Sequence, residues 1–272
     1  MFHVVGIAGA IGWLGLTLFA RAVLAEIVVL PMAALGFAFR RRDAFWIGWI
    51  RTFSNQILPM SGMALFVQEI RRKVSISWSA LVALSSPQFL LAAAGLGAIG
   101  AVASVLNLNA LAQAGLPILT AFVAVTVGSV AVATGAARLM ESMPGFIASR
   151  IRDVATSFRR LAEHPHLVPQ LIAWHCVAIL AHGGRVWLLF SAVGISLDWR
   201  EALLVMAVAE STMLLQITPG GLGLREGAVV GGAALLGIPA EAAAGVALID
   251  RLFMIGLTTL LAGPAFFLIR GR

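Results

Sequence analysis

VSISWSALVALSSPQFLLAAAGLGAIGAVASVLNLNALAQAGLPILTAFVAVTVGSVAVATGAA, residues 74–137, contains no Asp, Glu, Lys or Arg. A helix crossing about 30 Å of hydrocarbon needs about 20 consecutive apolar residues. The stretch therefore predicts two crossings, turned by the polar residues Asn107, Asn109 and Gln113. The rest of the chain agrees: 60% of its 272 residues are apolar and 11% charged, with a mean hydropathy of +0.98. A soluble domain would carry about a quarter charged residues. The expected fold class is an all-α polytopic membrane protein with about five full transmembrane helices plus two re-entrant helical hairpins.

Working outward, charge sets the expected topology. The net charge is +7, which would suit a nucleic-acid binder, but placement argues otherwise. Of 19 basic residues, 13 lie at Arg40–Arg42, Arg71–Lys73, Arg138–Arg160 and Arg270–Arg272, flanking apolar segments. Cytoplasmic loops retain positive charge in this way, and no aromatic-interleaved basic face is present to stack bases. The reading is a multi-pass protein of a bacterial inner membrane, C-terminus cytoplasmic, with no nucleic-acid partner. The single Cys176 excludes a disulfide framework, and no basic residue precedes the first apolar run, so no cleavable signal peptide is expected.

Residues 1–39 would be about 58 Å long as a helix, and without turn residues near Arg21 one long tilted helix is favoured over a hairpin. Residues 44–70 lie between two basic clusters and are interrupted at Ile57-Leu58-Pro59-Met60-Ser61-Gly62, so they should enter and return on one side. Residues 76–104 go out and 117–137 return. Residues 138–166, basic and mixed, are expected to form interfacial helices on the cytoplasmic surface. Residues 168–192 cross again, 203–236 are interrupted at Thr218-Pro219-Gly220-Gly221-Leu222-Gly223, and 240–269 return to Arg270.

The interruptions are alike. Gln56-Ile57-Leu58-Pro59 matches Gln216-Ile217-Thr218-Pro219, 160 residues later, and Ile76-Ser77-Trp78-Ser79-Ala80 resembles Ile238-Pro239-Ala240-Glu241-Ala242, 162 residues later. Each half reads as span, hairpin, span, with hairpins on opposite faces: an inverted-topology repeat of the kind transporters share. The expected units are 1–115 (first repeat), 116–167 (linking span and interfacial helices) and 168–272 (second repeat).

The candidate chemistry gathers at Pro219-Gly220-Gly221-Leu222-Gly223-Leu224-Arg225-Glu226-Gly227. Glycines let backbone approach a ligand, a helix beginning after them directs N–H groups into the break, and Arg225 adds a fork of donors suited to phosphate. The bland alternative places Arg225 and Glu226 at the outer interface, with glycines permitting tight packing. Arg21, Glu26, Arg51, Glu69, Arg185, Glu210, Asp250 and Arg251 are further charges in apolar segments, each costly there. Glu210, Gln216, Asp250 and Arg251 are placed to converge on the second break; Arg51, Gln56, Pro59, Ser61 and Gly62 are their first-half counterparts. Structural ion pairs such as Arg21 with Glu26, or snorkelling at helix ends, are the alternative. His175 and His182 lie about 10.5 Å apart along a helix, too far to share a metal, and no nucleotide or nucleophile-elbow motif appears. No metal, cofactor or catalytic residue is assigned.

The Pro219–Gly227 string, with Leu236-Gly237-Ile238-Pro239-Ala240-Glu241-Ala242-Ala243 and Arg251, resembles the lysylphosphatidylglycerol synthase transmembrane-region (flippase-like) family, closest in form to its hopanoid-biosynthesis-associated branch. The resemblance implies movement of a lipid or lipid-linked headgroup between leaflets, with Pro219, Gly220, Gly221, Gly223, Arg225 and Glu226 at the family's proline-glycine and Arg-Glu positions. Family members often show Pro-Gly-x-x-Gly-Glu in the first half, where this chain has Pro59-Met60-Ser61-Gly62-Met63-Ala64 without the acidic residue. The family's soluble aminoacyltransferase domain has no counterpart here, so aminoacyl transfer is not expected of this chain. The leading expectation is a lipid translocase acting on anionic or polar headgroups. The alternatives are a non-transporting accessory protein of a lipid pathway such as hopanoid biosynthesis, with lipid-biosynthesis enzymes as partners, and, last, a membrane-embedded enzyme using Glu210, Asp250 or a histidine.

Overall fold

The computed structural model describes residues 6–58, 60–76, 78–139, 163–164, 166–212 and 218–270. Most of the expected interfacial segment 138–166 lies outside them, as do Pro59 and Gln216. Nine helices make up the described chain, besides short helical turns at 108–114 and 219–221: α1 (Ile7–Ala34), α2 (Arg41–Ile57), α3 (Ser61–Val74), α4 (Trp78–Leu106), α5 (Gly115–Leu139), α6 (Leu167–Ala192), α7 (Trp199–Ser211), α8 (Leu224–Ala234) and α9 (Ala240–Arg270). The protein is all-α, and five segments are long and apolar enough to cross a membrane, within α1, α4, α5, α6 and α9. The third begins at Leu108, in the turn ahead of α5.

Length separates two kinds of helix. At 1.5 Å per residue, α1 extends about 42 Å, whereas α7 and α8 extend only about 20 and 17 Å. The short helices come as pairs, α2 with α3 and α7 with α8, each pair packed together. The described residues 6–39 contain one helix, not a hairpin. It ends where Leu35 N–H donates to Pro31 O and Gly36 turns at φ +82°. The turn after α4 is fixed by Asn107, whose buried amide donates to Ala103 O (2.7 Å) and across to Arg200 O (2.9 Å).

The long helices interlock with the short ones. α1 packs along α6; α9 packs on α2 and α4 packs on α7. One apolar core joins α1, α2, α3 and α9 around Ile47, Trp49, Ile50, Ile70 and Ala265. A second joins α6, α7, α8 and α9 around Leu189, Phe190, Met206, Ala233 and Ala243. α4 and α5 approach so closely that a Cβ at Gly100 would lie 2.2 Å from the Phe122 ring.

Each pair of short helices has a break built by backbone conformation. In the first, Met60 adopts φ +61°, Ser61 Oγ donates to Ser54 O at 2.7 Å, and Asn55 Oδ1 accepts from Gly62 N–H at 2.8 Å. A Cβ at Gly62 would fall 2.0 Å from Arg51 O. In the second, Gly220, Gly221 and Gly223 all have positive φ (56°, 71° and 80°), which L side chains avoid.

Candidate functional site

Between the two breaks lies a cavity of about 680 Å³, within the range of small-molecule sites. The breaks meet there: the Thr218–Gly221 turn packs on α2, and a Cβ at Gly220 would lie 3.4 Å from Gln56 Cα. Gln56 Oε1 in turn accepts from Thr258 Oγ1 of α9 at 2.9 Å.

Charge is concentrated on the wall formed by α6 to α9. Arg225, in the first turn of α8, places Nη2 3.2 Å from Glu210 Oε1 at the end of α7 and 3.9 Å from Asp250 Oδ2 of α9. Glu210 also meets His182 Nδ1 at 3.2 Å. Asp250 is held from two further sides: Arg185 Nη2 donates to Oδ2 at 3.1 Å and its Nε lies 2.9 Å from Oδ1, while Trp13 of α1 donates Nε1–H to Oδ1 at 2.8 Å. Arg251, next in sequence, donates to Gly220 O at 2.7 Å and lies 3.5 Å from Glu226 Oε1. Burial of such charges is tolerable because each has an opposite partner.

The opposite wall carries Arg21 and Arg51. Arg21 of α1 donates to Gly48 O (3.1 Å) and Thr52 Oγ1 (2.9 Å) of α2 and covers the Trp49 ring at 4.6 Å. Arg51 lies over the Phe66 ring at 5.1 Å. The sequence-level pairing of Arg21 with Glu26 does not occur; Glu26 pairs with Arg41. Residues five apart project about 140° from each other around a helix, so only i, i+3 or i, i+4 pairs meet.

Of the candidate residues, Arg51, Gln56, Glu210, Gly220, Gly221, Arg225, Glu226, Asp250 and Arg251 line the cavity. Ser61, Gly62, Pro219 and Gly223 do not; Ser61, Gly62 and Gly223 build the breaks, and Pro219 O accepts from Arg251 Nη2 at 3.5 Å. At the N-terminus of α8, offered to an anion by the sequence, Glu226 Oε2 accepts from Gly223 N–H at 2.8 Å, which satisfies one of the N–H groups a helix start leaves free. Sequence reasoning left Arg21, Arg185, His182 and Trp13 out of the site. Arg21 and Arg185 are flagged by the cost of their apolar setting, and His182 is weighed only as a metal ligand; nothing local marks Trp13, which reaches its partner across 237 residues.

Together these features define a class, the polytopic helical membrane proteins that enclose a charged cavity between interrupted helices. The chain belongs to the lysylphosphatidylglycerol synthase TM region family, whose family model matches residues 3–262. No curated protein and no solved structure matches it.

Proposed function

We propose that the protein is a flippase-like lipid translocase, which takes an anionic or polar headgroup into the cavity and releases it on the other side while the acyl tails stay in lipid. The observation that carries this reading is the meeting of two broken helix pairs at one charged cavity. Interrupted helices that meet at a polar site are how secondary transporters handle charged cargo, and membership of a lipid-related transmembrane family fits it.

An inverted-topology repeat supplies the motion. The order long, short, short, long runs through α1–α4 and again through α6–α9, with helix starts offset by 160, 158, 163 and 162 residues. The packing is reciprocal, each half's last long helix lying on the other half's first short one. In this reading both short pairs are re-entrant, entering from opposite faces, and rocking of the halves exposes the cavity to each leaflet in turn. The basic clusters at Arg40–Arg42, Arg71–Lys73 and Arg270–Arg272 mark the cytoplasmic side of a bacterial inner membrane. Hopanoid or other lipid-biosynthesis enzymes are the partners that would supply the cargo.

The test is two-sided labelling. With Cys176 replaced by alanine and Thr218, which lines the cavity, replaced by cysteine, an impermeant maleimide should react from either face of oriented vesicles. Reaction from one face only, with and without added lipid, would contradict alternating exposure.

A further inference from the structure

We propose that Arg21 and Arg51 form the anion seat of the cavity and that the ligand they select is a phosphate monoester headgroup, a dianion, in preference to a zwitterionic or singly charged one. The inference deepens the translocase reading and rests on it for the source of the headgroup.

Charge balance points to this wall. On the α6–α9 side, Arg185, Arg225 and Arg251 face Glu210, Glu226 and Asp250, three cations with three carboxylates, all joined within 4 Å. That cluster is neutral, each guanidinium facing a carboxylate, although Arg185 Nε and Arg251 Nε make no hydrogen bond among the described residues. Arg21 and Arg51 are different. Among the described residues neither has a carboxylate within 4 Å. Arg21 spends two donors on neutral oxygens, Gly48 O and Thr52 Oγ1. The Arg51 guanidinium makes no hydrogen bond among the described residues; its neighbour is the face of Phe66. Among the described residues the cavity therefore carries two uncompensated positive charges.

Their placement suits one tetrahedral anion. Gly48, Arg51, Thr52 and Asn55 all line the cavity, and their spacing of three, four and seven residues puts them on one face of α2. Arg21, anchored at Gly48 and Thr52, thus reaches the same turn of α2 from which Arg51 projects, about 4.5–6 Å of helix rise. Two like charges so close in apolar surroundings repel each other, and a bound dianion removes the repulsion. Rings under both guanidiniums fix their planes, leaving edge N–H groups to donate to separate oxygens. A lone carboxylate would need only one such fork; a phosphate monoester, with a charge near −2 at neutral pH, matches two.

The test uses the full chain in detergent micelles and calorimetric titration with three probes: dioctanoyl phosphatidic acid, dioctanoyl phosphatidylcholine and inorganic phosphate. Phosphatidic acid should bind about tenfold more tightly than phosphatidylcholine, and Arg51→Gln should remove about that factor, with Arg51→Lys between. Arg51 is the informative position because no side-chain hydrogen bond to the described residues is lost with it; Arg21→Gln, which also frees Gly48 O and Thr52, is the second variant. Equal affinity for the two lipids, or unchanged phosphatidic acid binding in Arg51→Gln, overturns the seat. Inorganic phosphate binding as tightly as phosphatidic acid overturns the lipid as its source. Because binding is read without transport, a protein that binds as expected yet moves no lipid would refute the translocase reading and leave the seat standing.

Discussion

Replacing Asp250 by asparagine probes the cluster at its centre. The change keeps size and the acceptor for Trp13 Nε1–H, and removes one charge. Arg185, 2% exposed, then loses the carboxylate that contacts its Nη2 and Nε at 3.1 and 2.9 Å. Its other neighbours are weak: Thr17 Oγ1 at 3.5 Å, Met254 Sδ at 3.4 Å and the Trp13 ring at 5.4 Å. A buried charge stripped of its partner costs about 3–5 kcal/mol, whereas removing both members of a pair is close to neutral. Asp250→Asn should therefore destabilise by about 3–5 kcal/mol, and Arg185→Met in the same chain should restore most of the loss. Unfolding in mixed micelles titrated with denaturing detergent measures both. An Asp250→Asn protein within about 0.5 kcal/mol of wild type would refute the reasoning. So would a double variant as unstable as the sum of the singles.

Three further outcomes follow from the geometry. Gly62→Ala puts a Cβ 2.0 Å from Arg51 O, so the α2–α3 turn must open; a loss of about 1–3 kcal/mol in the same titration is expected, and an unchanged midpoint would contradict the tight packing. Gly220→Ala forces a side chain onto φ +56° and within 3.1 Å of Arg251 Nη2; the left-handed conformation alone costs about 1–2 kcal/mol, and the binding of dioctanoyl lipids should weaken, whereas unaltered binding would remove the second break from the site. Outside the spans, Arg200 hydrogen-bonds Asp198 and holds its carboxyl below the usual carboxylate range. With the folded value depressed, this stabilisation is complete above the unfolded value of about 4 and is lost as pH falls through the lower folded one. Trp199 fluorescence should thus be level from neutral pH down to about 5 and change only below; a transition near pH 6 would point to another group.

The sequence makes the long helices plain because charge is so costly in hydrocarbon that a run from Val74 to Ala137 without any leaves no other reading. The breaks are legible for a related reason, since glycines at 220, 221 and 223 carry the positive φ that the turn requires. Side-chain partners are less visible. Ser61 and Gly62 look like ligand-facing small residues, yet they satisfy the turn itself, through Ser54 O and Asn55 Oδ1. Arg225 reads as a free donor from its place at a helix start; only the fold brings Glu210 and Asp250 to it. Arg21 and Arg51 read as two isolated charges, and their shared α2 face emerges when α1 is laid against α2. Local patterns specify helices and breaks, while the charge balance of a cavity is a property of the packing between them.

Lipid movement itself tests the account most directly. The protein is reconstituted into vesicles holding a trace of acyl-chain-labelled phosphatidic acid, phosphatidylglycerol or phosphatidylcholine, and an impermeant reductant bleaches the label reached from outside. The account predicts that bleaching passes beyond the outer-leaflet share only when protein is present, fastest for phosphatidic acid, and slows in Arg51→Gln. Bleaching that stops at the outer-leaflet share for every lipid, with and without an imposed ion gradient, would contradict it and leave the accessory role in a lipid pathway as the reading to pursue.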